Sequence, residues 1–198
     1  MFSKIVRRTH MYLALFLIPW VLGYALSTMA MNHREHLRAI YGEGPPPFTT
    51  VAERPYAGVF PEGANPEQKA AQILGDLGMD GAHVVAGPVK GEILVINRAD
   101  LVAPKRITYN AAAGTVRIEE AEFRAPAFLE RLHRRRGYQQ NYATDDTWAF
   151  LVDLFIVAML FWVGSGLWMW WEMRLTRRWG AVFACAGLIL CAAFLVTI

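Results

Sequence analysis

The residues best equipped for chemistry are five histidines and one carboxylate set in an apolar run. His33 and His36 close the stretch "STMAMNHREH", three positions apart, so one helix face can present both. His133, in "LERLHRRRG", precedes a later apolar run, and a helix returning toward the membrane would bring it to the same outer level. Two such imidazoles could hold a haem iron, and two or three could hold a small metal ion. They equally suit a solvated collar, because Arg34 and Glu35 stand between them. His10 lies at the other end of the first apolar run, 23 residues before His33. That is ~34 Å along a helix, so the two cannot serve one site. The later apolar runs carry no histidine. A haem on His10 would therefore need its second ligand from another subunit, as in a homo-oligomer, or from a non-histidine group. His83, on a strand-like segment, reads as an ordinary surface residue.

Asp153 is the one charge inside the second apolar run. Inserting a carboxylate at a helix centre costs ~2.5–3.5 kcal/mol, and less near the edge. It sits about five residues, or roughly 8 Å, inside the outer end of that run. An antiparallel first span places Ser27 and Thr28 opposite, with His33 above. Asp153 is thus expected to accept a hydrogen bond from Ser27 or Thr28, or to pair with His33. A structural polar clamp is one role, and a proton-linked or imidazole-orienting role is the other.

These residues must be positioned by three apolar runs. Hydrophobic residues make up 55% of the 198, enough for membrane segments plus one modest domain. Met11–Met31 is a 21-residue run without a charge, Thr147–Trp171 is interrupted by Asp153 alone, and Trp179–Ile198 is the third. Each is long enough for the ~30 Å hydrocarbon core. The first is too long for a usual signal-peptide core, which favours a retained helix. Lys4, Arg7 and Arg8 precede the first run, and Arg174, Arg177 and Arg178 lie between the second and third. Both flanks are expected to face the cytoplasm. The organisation predicted is a cytoplasmic N-terminus and first span over 1–31, a periplasmic domain over 32–146, spans over 147–171 and 179–198, and a cytoplasmic turn over 172–178. The C-terminus then lies outside. Arg131 to Arg136 pull the other way, but long translocated domains tolerate such charges. Trp148 and the Trp168, Trp170, Trp171 and Trp179 group suit the two interfacial belts. Gly164-Ser165-Gly166, and Gly180, Ala184 and Gly187, offer small faces for helix packing, as do Cys185 and Cys191.

Charge supports the same division. Asn32–Thr147 carries 14 Lys/Arg and 15 Asp/Glu, a net of −1, while the rest carries 6 and 2, a net of +4. Positive charge beside apolar runs indicates membrane topology rather than nucleic-acid binding. Membrane lipid is the expected surrounding, and no nucleic acid is expected as a partner. No phosphate-binding Gly-rich loop, nucleophile elbow, HExxH or CxxC occurs, which disfavours nucleotide enzymes, zinc proteases and thiol redox enzymes.

The insert itself reads as a small α+β domain. "NHREHLRAI" prolongs the first helix until "YGEGPPPF" stops it. Asn65-Pro66-Glu67-Gln68 starts a second helix, which Gly78 closes. "HVVAGPV" and "EILVINR", turning at Lys90-Gly91, and "RITYN" and "TVRIEE" read as strands. Pro126 opens a last helix, "PAFLERLHRRR". The expected order is helix, four strands, helix.

In this order the segments resemble the PepSY-associated transmembrane proteins, and among them the short three-span members. "RRTHMYLALFLIPWVLGYALSTMAMNH" is similar to the family's opening, "YNAAAGTVRIEE" to its strand–turn–strand signature, "LERLHRRRG" to its Leu-x-x-Leu-His segment, and "LVDLFIVAMLFWVGSGLWMWWEMR" to its closing segment. The resemblance implies a membrane α-helical protein with three transmembrane helices and an inserted small α+β PepSY-like domain, in the bacterial inner membrane. It implies an accessory role in which the periplasmic domain binds or regulates a protein partner in the membrane or periplasm. It also keeps open a haem b component of a periplasmic ferric-chelate reductase, with His10, His33, His36 and His133 as the ligand candidates, and a scaffold subunit of a metal-uptake or respiratory complex.

Overall fold

The computed structural model describes residues 1–86, 92–135, 137–138 and 142–197. The expected turn at Lys90-Gly91, the end of "HVVAGPV" and Arg136 lie outside them. In chain order the elements are α1 (Phe2–Asn32), α2 (Arg34–Tyr41), β1 (Phe48–Pro55), α3 (Pro66–Asp76), β2 (His83–Val85), β3 (Ile93–Arg98), β4 (Lys105–Asn110), β5 (Thr115–Ala121), α4 (Ala125–Arg134), α5 (Ala143–Glu172) and α6 (Arg177–Thr197). The chain forms two compact units, Met1–Val21 with Val152–Ile198, and Leu22–Leu151.

Three of the helices, α1, α5 and α6, are long and apolar enough to cross a membrane. Their apolar surface stays outward rather than closing on itself: no residue in the most apolar window of α6 is buried. Such a surface suits lipid contact. The helices overrun the apolar segments, α1 beginning at Phe2 rather than Met11 and α5 at Ala143 rather than Thr147. Asp145 and Asp146 lie in the first turn of α5, where negative charge offsets the helix dipole. In the first unit α1 and α5 run antiparallel. Phe2 meets Trp168 edge-on at 5.5 Å, His10 stacks on Trp162 at 5.3 Å, and Trp20 stacks on Phe155 at 5.6 Å. At the α5–α6 corner the indole of Trp170 occupies the space that a side chain on Gly180 would need. Gly187 faces open space instead, so only the first of these two glycines answers a packing demand.

The second unit holds a five-stranded antiparallel sheet in the order β1-β5-β4-β3-β2. Four strands follow the sequence pattern. The fifth, β1, corrects the expected order, because "FTTVAERP" pairs with β5 along one edge. Only Phe48 and Ala52 of that strand are even partly buried, so it carries no alternation to read. In register across the sheet, Ile96, Ile107, Ile118 and Ala52 line one face, with Leu94 and Val116 on the same face. Ala70, Ile73 and Leu74 of α3 close over them, and all the sheet residues named except Ala52 are buried. The start of α3 is the capping box expected: Gln68 N donates to Asn65 Oδ1 at 2.8 Å, and Asn65 N donates to Gln68 Oε1 at 3.0 Å. Gly78, at φ +65°, lets the chain turn away at its end.

Candidate functional site: a basic cavity in the second unit

The site begins where α1 ends. His33, at φ −103° and ψ 31°, breaks the helix by one residue, and α2 follows at once. Arg34, Leu37, Arg38 and Tyr41 recur on one side of α2, spaced as i, i+3, i+4 and i+7, and all four line the cavity described below. Ile40 and Tyr41 are exposed, at 64% and 43%. Gly42, at φ +89°, ends the helix, and its missing side chain faces the Arg124 guanidinium.

The loop from β3 to β4 and helix α4 complete the wall. Arg131 donates to the carbonyl oxygens of Leu101 at 3.0 Å and Val102 at 3.3 Å. Arg135 donates to Ala99 O at 3.2 Å and to Asp145 Oδ1 at 3.1 Å through Nε. Asp145 is buried, so this ion pair anchors the start of α5 to the loop. Arg34 and Arg134 share Glu130, each at 3.0 Å, and Arg98 pairs with Asp100 at 2.5 Å.

These elements enclose a cavity of about 940 Å³. Eight of its lining residues are Lys or Arg and three are Asp or Glu; Glu120 pairs with Lys105 at 2.5 Å and Glu122 with Arg124 at 3.5 Å from outside the lining, which leaves an excess of three positive charges. Among the described residues no carboxylate pairs with Arg38 or Arg131. Burial pulls the Arg131 guanidinium below its ordinary pKa, and nearby Glu130 opposes that. An arginine stays charged regardless, so the carbonyls it faces fix its position without cancelling it. Cations concentrated in a concave wall raise the local potential well above that of scattered surface charges. The arrangement suits an anionic group.

This cavity was hidden from the sequence. Its cations come from α2, β3, β4, α4 and the two residues that flank α4, within an insert whose total charge is −1.

The histidines are distributed differently from the expected ligand cluster. His33 and His36 are exposed at the start of α2 and within it. His133 is half-buried in α4, its Nδ1 2.9 Å from Ser27 Oγ and its ring edge-on to Tyr24 at 5.2 Å. Ser27 gives its proton to Tyr24 O at 2.9 Å, so a neutral His133 donates through Nδ1. His133 is thus a partner of Ser27. Thr28 is exposed. Asp153 lies in the first unit, two residues before the Phe155 that stacks on Trp20. His10 repeats the serine motif: its Nδ1 is 2.8 Å from Ser165 Oγ, and Ser165 donates to Trp162 O at 2.9 Å. The ring passes close to Gly166, where a Cβ would lie 3.5 Å from it. The small residues of α5 thus receive a histidine. His83 bonds locally to Gly81 O at 2.8 Å. Among the described residues no three His, Cys, Asp or Glu side chains gather in a metal-holding group.

Comparison with protein-family models, curated proteins and solved structures gave no match.

Proposed function

We propose that this chain is a membrane-anchored accessory protein of the PepSY-associated type, whose extramembrane domain binds an anionic group of a partner in the basic cavity. The observation that carries this reading is the excess of three positive charges around about 940 Å³, with Arg38 and Arg131 paired to no carboxylate among the described residues. Ligand sites of that size and concavity are ordinary, whereas so unbalanced a lining is not needed to hold a fold. The basic flanks at Lys4–Arg8 and Arg174–Arg178 support an orientation with both in the cytoplasm and the sheet domain in the periplasm. Thermal unfolding of the full chain in detergent tests the binding role, with inorganic pyrophosphate as the probe. Pyrophosphate at about 100 times its Kd is expected to stabilise by about 2.7 kcal/mol. The Arg38→Gln/Arg124→Gln double variant should lose most of that protection. Equal protection of both proteins, or none of the wild type, would end the proposal.

A second reading is favoured by one observation. Ser165 holds His10 so that Nδ1 donates, which leaves Nε2 without a hydrogen bond among the described residues, and Trp162 stacks on the ring. That is the state in which an imidazole can ligate a haem iron. A haem there would supply one-electron chemistry, with Ser165 and Trp162 fixing the ring. A reduced-minus-oxidised optical spectrum tests it. Bands that disappear in His10→Ala would support this reading, and a featureless spectrum would remove it.

A further inference from the structure

The cavity has two kinds of wall. One is cationic: Arg38 and Arg131 pair with no carboxylate among the described residues, and Arg124 stands 3.5 Å from Glu122. The other is apolar, and Ala30 and Met31 belong to it. Those two residues form the last turn of α1, a helix long and apolar enough to cross a membrane. Leu37 and Tyr41 extend the apolar wall along α2. This eight-residue helix buries nothing, exposes Ile40 and Tyr41, and starts one residue after α1 ends. Its composition and placement are those of a segment lying in the bilayer interface.

A free inorganic anion would use the cations but leave the apolar wall uncovered. An anionic amphiphile would use both. The volume, about 940 Å³, exceeds what one phosphate needs and leaves room for a headgroup with the start of its chains. Guanidinium forks match phosphate oxygens in geometry as well as charge.

We infer that the cavity receives the phosphate headgroup of an anionic membrane phospholipid, its chains following Ala30 and Met31 toward the bilayer. This rests on the anion-binding reading and names the ligand for it. Arg38 and Arg124 grip the phosphate, while Arg131, already held by the Leu101 and Val102 carbonyls, adds fixed charge behind it.

Native mass spectrometry of the full chain in detergent, titrated with phosphatidylglycerol or phosphatidylcholine, tests the inference. One phosphatidylglycerol should be retained, with at least tenfold preference over phosphatidylcholine. Arg38→Gln and Arg124→Gln should each weaken retention about fivefold, the effect of one cation near an anionic surface. Arg38→Lys should recover most of the loss, and Arg174→Gln, outside the cavity, should change nothing. Among the described residues no hydrogen bond or ion pair engages the Arg38 side chain, so Arg38→Gln leaves the fold intact. Equal retention of both lipids, or retention unchanged in Arg38→Gln and Arg124→Gln, would overturn the inference. So would displacement by soluble glycerol phosphate at the same concentration as the lipid, which would identify a free phosphate ester instead. Pyrophosphate protection without lipid retention would leave the anion-binding role standing and remove the lipid alone.

Discussion

Tyr56 shows what one side chain can do for the sheet domain. It follows β1, its backbone N donates to Gly114 O at 2.8 Å, and its hydroxyl donates to Asp76 Oδ2 at 2.6 Å. One residue thus ties the edge strand to the end of α3. Its ring also meets Tyr109 edge-on at 5.6 Å. Burial, and then the Asp76 hydrogen bond, push the Tyr56 hydroxyl well above its ordinary pKa. The folded state therefore prefers neutral tyrosine more strongly than the unfolded chain does. That contribution is complete below the ordinary value of about 10 and is lost as pH rises beyond it. Tyr56→Phe keeps the ring and removes the titration. Thermal unfolding between pH 9 and pH 11 should fall more steeply for the wild type than for the variant; parallel slopes would contradict the account. Nothing in the sequence marked Tyr56, because its partner stands twenty positions away on another element.

At the scale of elements, what the sequence revealed depends on where each element's instructions lie. Helix α3 was legible because its start is local: Asn65 and Gln68 cap one another within four residues. Asn65→Ala should cost about 1 kcal/mol in denaturant unfolding of the domain. A loss below a few tenths would mean the box is not formed. Strand β1 was not legible, since its place is dictated by β5 and not by its own pattern. The buried centre of the sheet depends on residues from separate strands. Ile96→Ala should cost ~2–5 kcal/mol, because Ile107 and α3 cannot collapse fully into the space. The α5–α6 corner makes a different demand. Gly180→Ala places a methyl where the Trp170 indole lies, so the variant should unfold at lower temperature than Gly187→Ala, whose added methyl meets open space. Equal melting temperatures would show that Trp170 gives way freely.

At the scale of the molecule, the three long apolar helices were plain in the sequence because hydropathy is a local sum. The histidines were plain too, but their partners were not. His10 and His133 each meet a serine, at Ser165 and Ser27, and neither pairing follows from spacing. The cavity was the least legible feature. Charges that nearly cancel over the insert are sorted by the fold, which gathers eight cations and only three carboxylates into the lining of one cavity. Only the folded arrangement converts a net charge of −1 into a basic concavity. Because that concavity is electrostatic, ligand affinity should fall steeply with added salt.

The most direct measurement is calorimetric titration of inorganic pyrophosphate into the full chain in detergent at low ionic strength, beside the Arg38→Gln/Arg124→Gln variant. The account predicts saturable binding at one site per chain, at least tenfold weaker in the variant. Identical isotherms for the two proteins, or no saturable binding by the wild type, would contradict it.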